Sequence, residues 1–173
     1  MDINPIWLRY GIIYGLVSII FSLINYYLIP FGIWTMAFLS FVMMIIILVI
    51  AGRAQKQENN DILPYQEALK TTFLTGLVGV VISTFFTIIL INLIDPSLVE
   101  KLTEMAMDAA RSMMEAVGMP EDKMAEAIEE AEKKSANSFT PTEQLLSIFQ
   151  SAIFVLIVAA IVSIFLKKDE KFA

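Results

Sequence analysis

Three stretches of the chain contain no charged side chain: residues 10–52, 71–94 and 144–166. A bilayer core is about 30 Å thick, so a helix needs roughly 20 apolar residues to cross it. The second and third stretches are each one span long. The first is two spans long and is interrupted by a Pro-Phe-Gly sequence at residues 30–32. The pattern predicts four membrane-spanning helices, at about residues 6–28, 33–51, 71–94 and 144–166.

The segment between the last two charge-free stretches, residues 95–143, has the pattern of ordered helices. Its first half predicts a helix at 96–117, because apolar residues recur there at steps of three and four: Leu98, Leu102, Met105, Ala109, Met113 and Ala116. Asp95, followed by a proline, suits the N-cap of this helix, and Gly118 suits its C-cap. A second helix is predicted at 120–136. The two amphipathic helices could project as an antiparallel hairpin or lie along the membrane surface.

Composition agrees with one compact membrane domain. The chain has 173 residues, of which 57% are hydrophobic, whereas about 45–50% of a soluble domain is apolar. We therefore predict an all-α fold with a single membrane domain over residues 1–173. It is an integral membrane four-helix bundle with an extracytoplasmic amphipathic helical insert between spans three and four.

The positions of lysine and arginine predict the orientation of the bundle, because cytoplasmic loops carry an excess of these residues. The turn at residues 29–32 has none, and the insert at 95–143 has five among twelve acids, a net charge of −7. The opposite side holds the remaining basic residues: Arg9, Arg53, Lys56, Lys70, Lys167, Lys168 and Lys171. Both termini are therefore predicted to be cytoplasmic and residues 95–143 extracytoplasmic.

The first and third spans share a stripe of small and hydroxylic residues. Steps of four, three and four place each set on one helix face, and small residues let helix backbones approach closely in lipid. We predict that the two faces pack against each other through Gly11, Gly15, Ser18 and Ser22 of span one and Thr72, Gly76, Gly79 and Ser83 of span three. A duplicated hairpin would explain the match, and so would chance within the small alphabet of membrane helices.

Two amides, Asn25 and Gln150, are the most interesting polar groups inside the predicted spans. Each is expected to hydrogen-bond a neighbouring helix, as interhelical amides commonly do. The alternative is that they line a small polar cavity with Ser83. The spans hold no deep Asp, Glu, Lys or Arg, which argues against a pump or a proton-coupled transporter.

Candidate catalytic chemistry is sparse. The chain has no Cys and no His, which excludes thiolate nucleophiles, the usual zinc sites and His-based acid–base catalysis. It has no phosphate-loop, dinucleotide or nucleophile-elbow motif, so no catalytic residue, metal site or cofactor is predicted. Six of the ten methionines lie in the insert. They suit a soft surface for self-packing or partner binding better than Cu(I) capture by thioethers.

Three loose motifs carry a resemblance that covers nearly the whole chain: Arg9-Tyr10-Gly11 with Gly15, Pro64-Tyr65-Gln66-Glu67-Ala68 leading to Gly76, and the run from Glu115 to Asp122. On these features the chain resembles the bacterial integral membrane proteins grouped as domain of unknown function 4199. The resemblance implies a multi-pass protein of the bacterial inner (cytoplasmic) membrane. That group has no assigned activity, so the resemblance carries over topology and no chemistry.

We therefore expect a small integral inner-membrane protein that is not an enzyme and binds no nucleic acid. It is expected to act by helix packing and by binding a protein partner, or a second copy of itself, through the acidic outer helices. The lipid bilayer is its other expected partner. A small transporter or channel component is the first alternative, and a membrane enzyme is the second.

Overall fold

The computed structural model describes residues 5–29 and 31–168, and Pro30 and Lys171 lie outside this part. The described residues form six α-helices, with no strand beyond one isolated backbone bridge. The all-α prediction is therefore confirmed. The helices are α1 (Ile6–Leu23), α2 (Ile33–Glu58), α3 (Tyr65–Ile89), α4 (Leu98–Ala116), α5 (Glu121–Ser138) and α6 (Pro141–Leu166).

Four of these helices are long and apolar enough to cross a membrane, as predicted. With the turns that extend α1 and α3, they cover Ile6–Leu28, Ile33–Glu58, Tyr65–Ile94 and Pro141–Leu166. The second continues past the predicted end of its span at residue 51, and the third begins before residue 71. Helical structure extends beyond the apolar runs because the polar residues that flank them are mostly good helix formers.

α1 and α3 both end in a turn of π-helix, which the sequence pattern did not predict. The turns are Ile24–Leu28 and Leu90–Ile94. In each, the amide of the following residue donates to the first carbonyl of the turn, at 2.9 Å and 2.7 Å respectively. Such turns are rare in proteins. Both lie at the C-terminal end of their spans, so the first and third spans share this uncommon feature.

α3 is the central helix of the bundle, since it packs against α1, α2 and α6. Its neighbour α1 runs in the same direction, because Gly11 faces Val78 and Gly15 faces Ile82. The main hydrophobic core lies where α2, α3 and α6 meet and includes the fully buried Leu48. Thr72, Gly76 and Gly79 of the α3 stripe are therefore buried between neighbouring helices.

The two ends of the bundle differ in what they carry. The loop end holds the α2–α3 connection at residues 59–64, together with the end of α6. The insert end holds the α1–α2 turn and the hairpin formed by α4 and α5. Leu98 of α4 is buried against Leu90, and the middle of α4 lies over the start of α2 at Trp34. The sequence left open whether the insert projects or lies along the membrane surface. In the structure, the first half of the hairpin lies across the insert end of the bundle.

α4 ends as predicted and begins later than predicted. Gly118 has a φ of +69°, and backbone hydrogen bonds form a Schellman motif around it. The first helical residue is Leu98, so Ser97 rather than Asp95 is the N-cap. The Asp95 carboxylate is already engaged, because it accepts hydrogen bonds from Ser97 Oγ at 2.5 Å and from the Tyr27 hydroxyl at 2.7 Å.

Candidate functional site

Glycine allows the close approach of α1 and α3. A Cβ built on Gly79 would overlap the ring of Tyr14. A Cβ built on Gly11 would lie 2.6 Å from the Cβ of Val78, closer than real side chains come. Each helix therefore inserts a large side chain into the space left by a glycine of the other, as small-residue interfaces in lipid do.

The stripe of α3 divides between two neighbours instead of facing α1 along its whole length. Gly79 faces α1, but Gly76 is in contact with Val155 of α6. The Oγ atoms of Thr72 and Ser163 lie 3.1 Å apart, and both residues are fully buried. Thr72 and Gly76 thus join α3 to α6. Because α3 packs against both α1 and α6, it needs small residues on two sides. The predicted pairing of spans one and three accounted only for the side that faces α1.

Ser83 makes a local hydrogen bond, since its Oγ donates to the Val80 carbonyl at 3.0 Å within α3. Ser18 and Ser22 of α1 are half-buried. The close approach of the two helices rests on the glycines.

Of the two amides singled out in the spans, Asn25 is buried and Gln150 is exposed. Asn25 Oδ1 accepts from the Phe31 amide at 2.8 Å, and its Nδ2 donates to Met36 Sδ at 3.1 Å. Asn25 therefore fastens the α1–α2 turn. The buried amide of α6 is instead Gln144, which donates to a backbone carbonyl of the α5–α6 turn at 2.8 Å. Because Gln150 is exposed, it is not enclosed in a polar cavity with Asn25 and Ser83.

Two polar contacts that the sequence did not reveal fasten the insert to the first span. The Tyr27 hydroxyl donates to the Asp95 carboxylate, and Lys101 Nζ donates to the Tyr26 carbonyl at 2.5 Å. Hydrogen bonds from Ser97 and Tyr27 hold the pKa of Asp95 below its ordinary value. Lys101 meets the carbonyl end of a helix, where the helix dipole favours a cation. The partners are 68 and 75 positions apart, so no local pattern shows the pairing.

At the loop end, the α2–α3 connection is paired with the end of α6. Leu63 and Lys168 exchange two backbone hydrogen bonds of 2.9 Å, and the Lys168 ammonium forms an ion pair with Asp61. This ammonium holds the pKa of the Asp61 carboxyl below its ordinary value. Lys56 Nζ adds a bond of 3.4 Å to the Leu166 carbonyl. The Asp61 carboxylate therefore has a structural partner that accounts for its position.

The far half of the α4–α5 hairpin exposes apolar side chains. Met113 is 59% exposed and Val117 is 68% exposed. Of the apolar stripe predicted for α4, which includes Met113, only Leu98 is fully buried. Because they are four positions apart, these two exposed side chains are neighbours at the end of α4. We call Met113 and Val117 the hairpin patch.

The described residues contain no group of three or more Asp, Glu, His or Cys that could hold a metal ion. The fold defines the class: an all-helical chain with four membrane-length helices and a helical hairpin between the last two. The family model described as Protein of unknown function (DUF4199) matches residues 9–168. The chain belongs to this family, which confirms the resemblance seen in its sequence. No curated protein and no solved structure matches the chain.

Proposed function

We propose that this protein is a non-enzymatic, multi-pass protein of the bacterial inner membrane that binds a protein partner through its α4–α5 hairpin. The observation that carries the proposal is the hairpin patch, with Met113 and Val117 exposed on a strongly acidic insert. The contacts of Tyr27 with Asp95 and of Lys101 with α1 hold the start of the insert on the bundle. A surface held in place before binding loses less conformational freedom on association.

The chemistry of the insert indicates the kind of partner. Its net charge of −7 over residues 95–143 favours a partner with a basic rim, since complementary charge speeds and orients association. The apolar patch favours a hydrophobic centre within that rim. We therefore propose a basic protein surface with an apolar centre as the binding partner.

The proposed orientation places both termini in the cytoplasm and the hairpin outside. Its support is the excess of lysine and arginine at the loop end. In this orientation the acidic hairpin lies away from the anionic cytoplasmic leaflet, which would repel it.

Photo-crosslinking in intact membranes tests the proposal. A photoreactive amino acid at Val117 or Met113 is expected to give a discrete adduct with a second protein, and high salt is expected to weaken it because charge steers the association. Glu104, an exposed residue nearer the start of α4, is the matched control and is expected to give little adduct. Adducts with lipid alone at the hairpin patch, or equal adducts at all three positions, would contradict partner binding there.

A further inference from the structure

α2 and α6 contact each other less than either contacts α3, and a groove runs between them. Toward the insert end it forms a cavity of about 560 Å³. Toward the loop end its volume is about 410 Å³, and we call this part the loop-end groove. Phe41 lines both parts, and its ring centroid lies 5.9 Å from that of Phe154 on α6. This aromatic pair marks the boundary between them.

The walls of the loop-end groove are hydrocarbon. Ile45 and Val49 of α2 line one side, and Val158 and Ile161 of α6 line the other. An acyl chain lying in this part of the groove would contact apolar side chains on both walls.

One charged side chain, the guanidinium of Arg53, lines the groove where it reaches the loop end. Arg53 is exposed, and among the described residues no carboxylate lies within ion-pair distance of it. Lys56 Nζ donates to the Leu166 carbonyl at 3.4 Å. Lys167, which follows Leu166 in the chain, is exposed. The Asp61 carboxylate is already paired with a lysine. Among the described residues, the side chains around this end of the groove therefore carry a net positive charge.

Gly52 places the end of α6 beside this charge. The Leu166 side chain occupies the position that a Cβ of Gly52 would take. The last turn of α6 is thus packed onto α2 one residue before Arg53. As a result the apolar wall and the guanidinium meet at the same end of the groove.

We propose that the loop-end groove binds one acyl chain of an anionic phospholipid and that Arg53 binds its phosphate. Arginine presents a planar fork of donors that matches phosphate oxygens. Basic residues next to a membrane span attract anionic headgroups. The preference for an anionic lipid follows from the net charge of the headgroup, because a choline headgroup carries its own cation. The second acyl chain lies in the surrounding bilayer.

Native mass spectrometry of the full chain in detergent tests this, with phosphatidylglycerol and phosphatidylcholine of identical acyl chains as probes. The wild-type chain is expected to bind phosphatidylglycerol more tightly. Arg53→Gln is expected to weaken phosphatidylglycerol binding about tenfold, as the loss of a charge-assisted hydrogen bond does, and to remove the preference. Arg9→Gln is the matched control, since Arg9 is exposed and does not line the groove. It is expected to keep the preference.

A second variant tests the apolar part of the site. Ile161→Trp fills the loop-end groove from a half-exposed position and is expected to weaken binding of both lipids while Arg53 stays in place. Val49→Phe does the same from the α2 wall, and melting curves show whether each variant is folded. Equal effects of Arg53→Gln and Arg9→Gln would overturn the phosphate contact. Unchanged lipid binding in both folded filling variants, or a dimer that they dissociate, would overturn the acyl-chain site.

Discussion

At the scale of single residues, glycine determines the distance between α1 and α3. The ring of Tyr14 packs directly on the backbone of Gly79, where any side chain would overlap it. Substitution by alanine forces the ring or the helices to move, and overpacking of this kind costs about 1–3 kcal/mol. That cost exceeds the higher helix propensity of alanine, at most about 1 kcal/mol. Gly79→Ala is therefore expected to lower the thermal stability of the protein in detergent.

Gly32→Ala is the matched control for this prediction, because nothing lies within 4 Å of a Cβ built there. Its φ of −58° is also ordinary for alanine. Thermal unfolding followed by circular dichroism is expected to show a lower midpoint for Gly79→Ala and little change for Gly32→Ala. Equal midpoints for both variants and the wild type would show that the Tyr14 contact contributes nothing.

Periodicity in the sequence identified the small residues but could not identify their partners. It placed Gly11 and Gly79 on helix faces, and both are at the α1–α3 interface. It did not indicate that Thr72 meets Ser163, because those residues are 91 positions apart. A face is a property of one helix, whereas a contact depends on how all the helices are arranged.

At the scale of elements, the Asp61–Lys168 ion pair ties the α2–α3 connection to the end of α6. The ammonium favours the charged carboxylate, so the pKa of Asp61 in the folded protein lies below its ordinary value near 3.8. The pair therefore stabilises the folded state fully above pH 3.8. This stabilisation is lost as the pH falls through the lower folded-state pKa.

Carbon-13 NMR of aspartate-labelled protein in micelles checks this prediction. The Asp61 carboxyl is expected to titrate below 3.8 in the wild type and close to 3.8 in Lys168→Met. Lys167→Met, which removes a neighbouring lysine without touching the pair, is the control and is expected to leave the low pKa unchanged. If Lys168→Met titrates like the wild type, the ion pair does not form in solution.

Elements were predictable where one property dominates a whole segment. Hydropathy identified all four membrane-length helices, because every backbone group inside lipid must bond within its own helix. The π-helical turns at Ile24–Leu28 and Leu90–Ile94 were not predictable, since both continue the apolar runs of their helices. Each turn is accompanied by a hydrogen bond that periodicity does not indicate, from the Phe31 amide to Asn25 Oδ1 and from Ser97 Oγ to Asp95 Oδ1.

At the scale of the whole molecule, the two parallel spans show a common ending. The aligned Gly15 and Gly76 are 61 positions apart, whereas the two π-helical turns begin 66 positions apart, at Ile24 and Leu90. In the packed bundle Gly15 faces Ile82, 67 positions on, so the two turns lie nearly level. If the two spans arose from a duplicated hairpin, the separations of 61 and 66 positions mean that span three gained five residues between the stripe and the turn.

The distribution of charge leads to a prediction of the orientation of the whole bundle. Six of the described basic residues lie at the loop end: Arg9, Arg53, Lys56, Lys70, Lys167 and Lys168. The insert end carries the acidic hairpin, whose net charge over 95–143 is −7. Since loops rich in lysine and arginine stay in the cytoplasm, the loop end is expected inside and the hairpin outside.

Single-cysteine labelling measures this orientation without background, because the wild-type chain has no cysteine. Ser112→Cys on α4 and Gln57→Cys near the end of α2 are both exposed positions on helices. A membrane-impermeant maleimide added to intact cells is expected to label Ser112→Cys alone, and Gln57→Cys is expected to react only after permeabilisation. The reverse pattern would show an inverted bundle and would place the hairpin patch, with any partner it binds, in the cytoplasm.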